Sequence, residues 1–136
     1  MTLVHADLEL RLVRDGDQPA PVPSHLVYRE HDPWTVMVVF RTAEGAVTWF
    51  FGRELLAAGI TAPAGQGDVR VWPARTADGD QLCLALSSPH GNALLEADLA
   101  TVRDFLARTW EIVPAGTEIA HIDMDAELED LLAAGA

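Results

Sequence analysis

The sequence predicts an α+β fold built on a strongly curved, barrel-like antiparallel sheet of about seven strands. Two observations predict this fold class. Short segments with the periodicity of strands alternate with turns rich in glycine and proline along most of the chain. A run of such strands also ends, twice, in a segment with helical periodicity. The chain is therefore expected to form two strand-then-helix halves, followed by a C-terminal helix.

The first half opens with a long, half-buried strand. Between residues 4 and 12, apolar side chains occupy every second position and polar side chains lie between them, which is typical of a strand with one face in solvent. Prolines at positions 19, 21 and 23 then predict an extended connection, and strand character returns only at residues 26–28. The prolines are thus expected to precede the second strand.

The next segment, residues 34–40, is apolar on both faces and predicts a central strand that is covered on both sides. A hairpin turn at residues 43–45 leads to another strand over residues 46–51. A short helix over residues 53–58 completes this half, and Gly59 is expected to supply the left-handed residue that ends it.

The second half has the same order of elements. Strands are predicted at residues 68–74, 82–86 and 93–97. Asp98 is placed to cap a helix with an apolar stripe, since a carboxylate at this position accepts bonds from free N–H groups. The stripe consists of Leu99, Val102, Phe105 and Leu106. A last acidic helix with one apolar seam is predicted from about residue 125.

Length and cysteine content predict one domain in a reducing compartment. The 136 residues suffice for a single core, so residues 1–136 are expected to form one domain. No apolar run approaches the ~18 residues that cross a membrane. The lone Cys83 cannot close an intrachain disulfide, and the N-terminus lacks the basic-then-apolar pattern of a signal peptide. A soluble cytoplasmic protein is expected, without direct membrane insertion.

The charge balance disfavours nucleic acid and anionic lipid as partners. The formal net charge is −12, and phosphate surfaces repel such a chain. All nine basic residues are arginine, and the absence of lysine excludes the P-loop lysine and Schiff-base catalysis. Seven of the 21 acidic residues lie in residues 111–136, a stretch without arginine. This segment is the natural face for a basic partner.

None of the short motifs meets the requirements of an active site. Residues 65–67 open like a dinucleotide loop, but they lack the third glycine and precede a strand. The two serines and the histidine of residues 87–90 lie too close along one turn to form a nucleophile–base pair. His121 and Asp123 have no further metal ligand beside them, because the other histidines are expected to be isolated on the surface. We therefore expect no catalytic residue, no cofactor and no metal site.

One strand combines basic and aromatic side chains. Single-strand nucleic-acid binders stack bases on aromatic rings beside a positive groove, and Arg70, Trp72 and Arg75 are the residues that suit this role. Strand aromatics most often fill a core, however, and only two arginines accompany Trp72. These three residues form the alternative binding surface.

Several strings of residues occur together in a characteristic order. They are ELRLV at residues 9–13, PVP at 21–23, DPW at 32–34, GDVRVWP at 67–73, LALSSP at 84–89 and GNALLEA at 91–97. Through them the chain resembles the SsgA-like family of actinomycete sporulation and cell division proteins, from about residue 5 to about residue 132. Within the family it is most similar to the SsgB-type branch.

The resemblance implies a non-enzymatic adaptor or regulator of sporulation-specific cell division. Such a protein helps to localise the division septum by recruiting the tubulin-like division GTPase FtsZ, together with SsgA-type relatives. The resemblance also implies a fold related to the Whirly single-strand nucleic-acid binders and self-association, for which we expect a trimer. Whirly-type binding of single-stranded nucleic acid is the alternative function.

Partner binding is predicted for the acidic C-terminal helix and for the loop before it, at residues 114–118. An apolar seam accompanies five acidic residues between positions 123 and 130, and charges of this kind steer the encounter with a partner. The residues assigned to this surface are Gly116, Glu118, Glu127, Glu129 and Asp130. Alternatively, the seam docks on the chain's own sheet and the acids form a solvated face.

Overall fold

Seven antiparallel strands form one curled sheet, with two α-helices packed on its concave face. The computed structural model describes residues 2–14, 16, 18–122 and 132. The elements are β1 (Leu3–Leu12), β2 (Ala20–Arg29), β3 (Thr35–Thr42), β4 (Gly45–Gly52), α1 (Arg53–Thr61), β5 (Val69–Thr76), β6 (Gly79–Ser88), β7 (Gly91–Asp98), α2 (Leu99–Ile112) and a short 3-10 helix (Glu118–His121). The predicted α+β class is confirmed. Most of the predicted C-terminal helix lies outside the described residues.

The strand order is β4-β3-β2-β1-β7-β6-β5, so β1 is the strand that joins the two halves. It pairs along its whole length with β2 and through residues 10–12 with β7. The predicted alternation is confirmed, because Val4, Leu8 and Leu10 are buried while Asp7 and Glu9 are exposed on the other face. The buried face of β1 therefore lies in the core, and its other face meets solvent.

The prediction that residues 34–40 form a central, doubly covered strand was wrong. β3 is second from one edge, between β2 and β4. Val36 and Val38 are buried, but Met37 and Val39 on the other face are only half-buried. Side chains such as valine favour strands even at half-exposed positions, so an apolar outer face does not require a covering layer.

The second strand begins earlier than predicted, at Ala20, and includes Pro21 and Pro23. Both prolines lie opposite β1, but β3 joins the strand only from Ser24 onward. The proline-containing part therefore has a strand neighbour on one side only. Proline is tolerated there because its missing N–H removes no bond on an edge.

Gly59 lies inside α1, and its predicted role as the left-handed end of that helix was wrong. The helix continues to Thr61, and Gly59 packs directly against Val71 of β5. A Cβ at Gly59 would lie 2.8 Å from the Cβ of Val71. The glycine is therefore needed for the close approach of α1 to the sheet.

The second helix confirms the predicted cap and stripe. The carboxylate of Asp98 accepts bonds from the N–H and the hydroxyl of Thr101, at 3.2 and 2.7 Å. The apolar stripe packs on the concave face, chiefly against β1, β6 and β7. Its buried members are Leu99, Val102, Phe105 and Leu106.

Cys83, on β6, is also buried, as predicted, and burial raises the pKa of its thiol.

Candidate partner-binding site

Glu118, one of the predicted surface residues, is buried. One of its carboxylate oxygens accepts a 2.6 Å bond from the N–H of Gly116. Its other oxygen lies 3.8 Å from Nη2 of Arg53. Gly116 itself is exposed and has a φ of +88°, a conformation that favours glycine. Glu118 therefore anchors the loop from within, while Gly116 lies on its surface.

Arg53, at the junction of β4 and α1, is the centre of this arrangement. Its side chain is 1% exposed, and its Nη1 donates to the carbonyl oxygens of Thr109 and Val113, at 3.3 and 2.8 Å. These carbonyls belong to the C-terminal end of α2, where a cation complements the helix dipole. The guanidinium also lies 3.6 Å from the ring centre of Trp110, within the range of a cation–π contact.

We call Arg53, Trp110 and Glu118 the C-terminal clasp, since they tie the end of α2 and the following loop to the β4–α1 junction. Burial lowers the pKa of the Arg53 guanidinium, which Tyr28 and Glu118 partly oppose. An arginine remains protonated despite such a shift. The buried positive charge is thus balanced by one carboxylate, two carbonyl oxygens and an aromatic face.

The clasp fixes a surface that is partly apolar. Residues 114–117 are exposed, and Ile119, on the 3-10 helix, is 78% exposed. The 3-10 helix is held to the turn after β2 by a 3.0 Å contact between Nδ1 of His121 and a carboxylate oxygen of Glu30. The predicted acids Glu127, Glu129 and Asp130 lie outside the described residues. The chain thus presents a fixed loop immediately before its acidic segment.

The alternative surface is divided between two places. Arg70 and Trp72 lie on β5, an edge strand, and border one groove of about 400 Å³. Arg75 borders a different groove and lies 3.8 Å from the carboxylate of Asp80. The structure therefore brings Arg70 and Trp72 together and places Arg75 apart from them.

A further groove of about 330 Å³ lies on the concave face. Apolar side chains of several strands line it, among them Phe40, Trp49 and Leu86, and no residue of either helix does. Ser88, at its rim, bonds Gly91 and His90 within a tight turn, as the sequence predicted for these residues. The turn explains these polar groups without a catalytic role.

Sequence reasoning missed two groups of residues that the fold assembles. The sequence did not indicate the role of Arg53, because a single arginine before a helix does not show which distant carbonyl groups it contacts. His5, Asp7 and His25 also converge on the outer face of the sheet, so the expectation of isolated histidines was wrong for His5 and His25. The period-2 pattern placed His5 and Asp7 on one face, but His25 lay in the stretch predicted as a connection.

Within the described residues, no helix is long and apolar enough to cross a membrane.

Comparison with known proteins identifies the class to which this architecture belongs. Residues 22–118 match the family model described as Streptomyces sporulation and cell division protein, SsgA. The sporulation-specific cell division protein SsgB of Streptomyces coelicolor is 49% identical over 133 residues, which cover 97% of each chain. The protein of the same name from Frankia casuarinae is 46% identical over 140 aligned positions, gaps included, which cover 99% of this chain and 98% of that one.

Solved structures agree with this assignment. A structure of SsgB, from work relating its mutations to longitudinal cell division during sporulation of Streptomyces coelicolor, has a TM-score of 0.85 and 48% identity. It covers 89% of this chain and 96% of that one. The crystal structure of an SsgA-like protein from Thermobifida fusca also has a TM-score of 0.85, at 38% identity over 95% of both chains.

The curled sheet with its concave-face helices is therefore the architecture of sporulation-specific cell division proteins. The chain belongs to the SsgA family, and the predicted similarity to its SsgB-type members is confirmed. The names of these homologues support a role in sporulation cell division.

Proposed function

We propose that this chain is a non-enzymatic adaptor of sporulation-specific cell division that acts in the cytoplasm at the division septum. Its partner is the tubulin-like division GTPase FtsZ, which it recruits together with SsgA-type relatives. The observation that carries the proposal is the 49% identity, over 97% of both chains, to a protein named for sporulation-specific cell division.

The partner contacts the loop of residues 114–117 and Ile119. The C-terminal clasp supports this assignment, because it holds the loop in one conformation and so reduces the entropy lost on binding. Ile119 offers an exposed apolar side chain, and the acids Glu127, Glu129 and Asp130 follow it in the sequence. An apolar contact beside charges that steer encounter is a common arrangement of interfaces.

The proposal is tested by measuring the affinity of purified FtsZ for the immobilised chain and for Ile119→Glu. We expect roughly tenfold weaker binding or more in this variant, because a charge replaces a central apolar contact. Leu3→Glu is the matched control, since Leu3 is also an exposed apolar residue, at 55%, and lies outside this surface. Absence of FtsZ binding by the unmodified chain would refute the adaptor function. Equal affinities of the two variants would refute the surface alone.

The acidic segment is tested by charge removal. A triple substitution by glutamine should slow association with FtsZ and reduce its dependence on salt, while stability stays within about 1 kcal/mol. The substituted residues are Glu127, Glu129 and Asp130. The matched control removes three exposed acids elsewhere, Glu44, Asp78 and Asp104. Equal effects of both triple variants would show that net charge acts rather than this segment.

Binding of single-stranded nucleic acid is the second candidate function. The observation that favours it is the position of Arg70 and Trp72 beside one groove on an edge strand. The net charge of −12 opposes it, because a phosphate backbone needs a positive surface.

A further inference from the structure

Two histidines and an aspartate form a cluster on the outer face of the sheet. His5 and Asp7 are two residues apart on β1, so their side chains share a face, and Asp7 pairs directly with His25 of β2. One potential ligand atom from each side chain lies within 4.8 Å of the other two. Nδ1 of His25 is 2.9 Å, and Nε2 of His5 4.0 Å, from the same oxygen of Asp7.

These three side chains match the ligand preferences of zinc. Imidazole nitrogen and carboxylate oxygen both bind Zn²⁺ at about 2.0–2.2 Å, and three protein ligands with one open position form a common type of site. The exposed fractions are 50% for His5, 83% for Asp7 and 27% for His25, so an ion can enter from solvent. Both strands hold the backbone of the site in a fixed register.

Two arginines oppose a cation here. Arg108 donates to the backbone carbonyl of His5 at 3.2 Å, and Arg41 of β3 contacts a ligand side chain directly. Its Nε donates to Nε2 of His25 at 3.1 Å, and an arginine can only donate. His25 therefore carries its proton on Nδ1 and donates it to Asp7. A metal bound at Nδ1 would move the ring proton to Nε2, where it would face the Arg41 donor. Arg41 is exposed, so it can turn away into solvent.

We propose that His5, Asp7 and His25 form a binding site for a divalent transition-metal ion of the zinc type. The ion takes Nδ1 of His25, an imidazole nitrogen of His5 and a carboxylate oxygen of Asp7, and its fourth position faces solvent. Arg41 lowers the affinity of the site, because its bond to His25 must break and its charge repels the ion. The negative net charge of the chain favours cation binding in general.

The test is calorimetric titration of the full chain, freed of metal by chelation and dialysis, with zinc chloride. We expect one ion per chain. His25→Gln and His5→Gln should each weaken binding about tenfold or more, because each removes one of three ligands. Arg41→Gln should strengthen binding several-fold. Titration with Co²⁺ should give the visible absorption of a four-coordinate ion in the unmodified chain and not in His25→Gln.

The matched control is His90→Gln, which removes an exposed histidine outside the cluster and should leave the affinity unchanged. Each variant is first compared with the unmodified chain by circular dichroism, so that loss of fold is not mistaken for loss of a ligand. Unchanged affinity in His25→Gln, or loss of binding in His90→Gln, would overturn the proposal. So would the absence of stoichiometric zinc binding in both the unmodified chain and Arg41→Gln.

Discussion

At the scale of single residues, the most consequential side chain is that of Arg53, which is buried although arginine usually lies on the surface. Arg53 is enclosed by Tyr28, Trp110 and Glu118, and it donates to the last carbonyls of α2. A buried ion pair is not in itself a strong source of stability, because removing two charges from water is costly. Removing only one member is different, since the other charge then stays buried without compensation.

Replacing Arg53 by methionine should therefore lower the free energy of unfolding by about 3–5 kcal/mol. The substitution leaves the Glu118 carboxylate and the carbonyl of Val113 without their partner. Urea denaturation followed by circular dichroism measures the change. Arg103→Met, at an exposed arginine of α2, is the control and should stay within about 0.5 kcal/mol. A loss below about 1 kcal/mol for Arg53→Met would contradict the clasp.

Tyr28 allows a direct test of the environment of the clasp, because it is the only tyrosine in the chain. Its hydroxyl donates to the carbonyl of Pro33 at 2.7 Å, and burial raises its pKa to about 12 from 10.0. The folded state thus holds this proton where the unfolded state releases it. The contribution of Tyr28 to the free energy of unfolding is fully present below pH 10 and is lost as the pH rises towards 12. Absorbance of tyrosinate against pH should give a midpoint near 12 in the folded chain, and a midpoint near 10 would exclude burial.

At the scale of elements, periodicity predicted every described strand and both α-helices, but not all of their ends. Alternation identified β1 because one of its faces meets solvent. The start of β2 was missed because proline normally signals the end of a strand, and only the strand order shows that Pro21 and Pro23 lie where β3 is absent. The roles of Gly59 and Arg53 depend on contacts with distant elements. Local sequence cannot supply such contacts.

Gly59→Ala tests the packing of α1 on β5. In an exposed helix this change would add about 1 kcal/mol of stability. Here we expect it to destabilise by roughly 1–3 kcal/mol, because the new Cβ would overlap Val71. In a chain that already carries Val71→Ala, the further change Gly59→Ala should cost less stability than it does in the unmodified chain. Thermal unfolding measures both differences. A stabilising single substitution would contradict the close contact.

At the scale of the whole molecule, the open sheet leaves edge and face positions uncovered. β4 is an edge strand, and its Phe50 is 62% exposed beside the half-buried Met37. An unpaired edge with exposed apolar side chains is a site where chains associate. We therefore retain the prediction that the chain self-associates as a trimer through such positions.

Light scattering at roughly tens of micromolar protein should give a mass of three chains, and Phe50→Glu should reduce it. Leu3→Glu serves as the control because Leu3 is an exposed apolar residue of β1, which is not an edge strand. A monomer at this concentration would exclude self-association. A trimer that persists in Phe50→Glu would move the contact away from β4.

The adaptor function and the nucleic-acid alternative predict opposite results for one chain in one buffer. The most direct measurement is co-sedimentation of the unmodified chain with GTP-polymerised FtsZ, run beside a mobility-shift assay with single-stranded DNA at the same salt concentration. We predict that the chain pellets with FtsZ polymers and leaves the DNA unshifted, because its net charge of −12 repels phosphate. A chain that shifts DNA and stays in the supernatant with FtsZ would contradict the account.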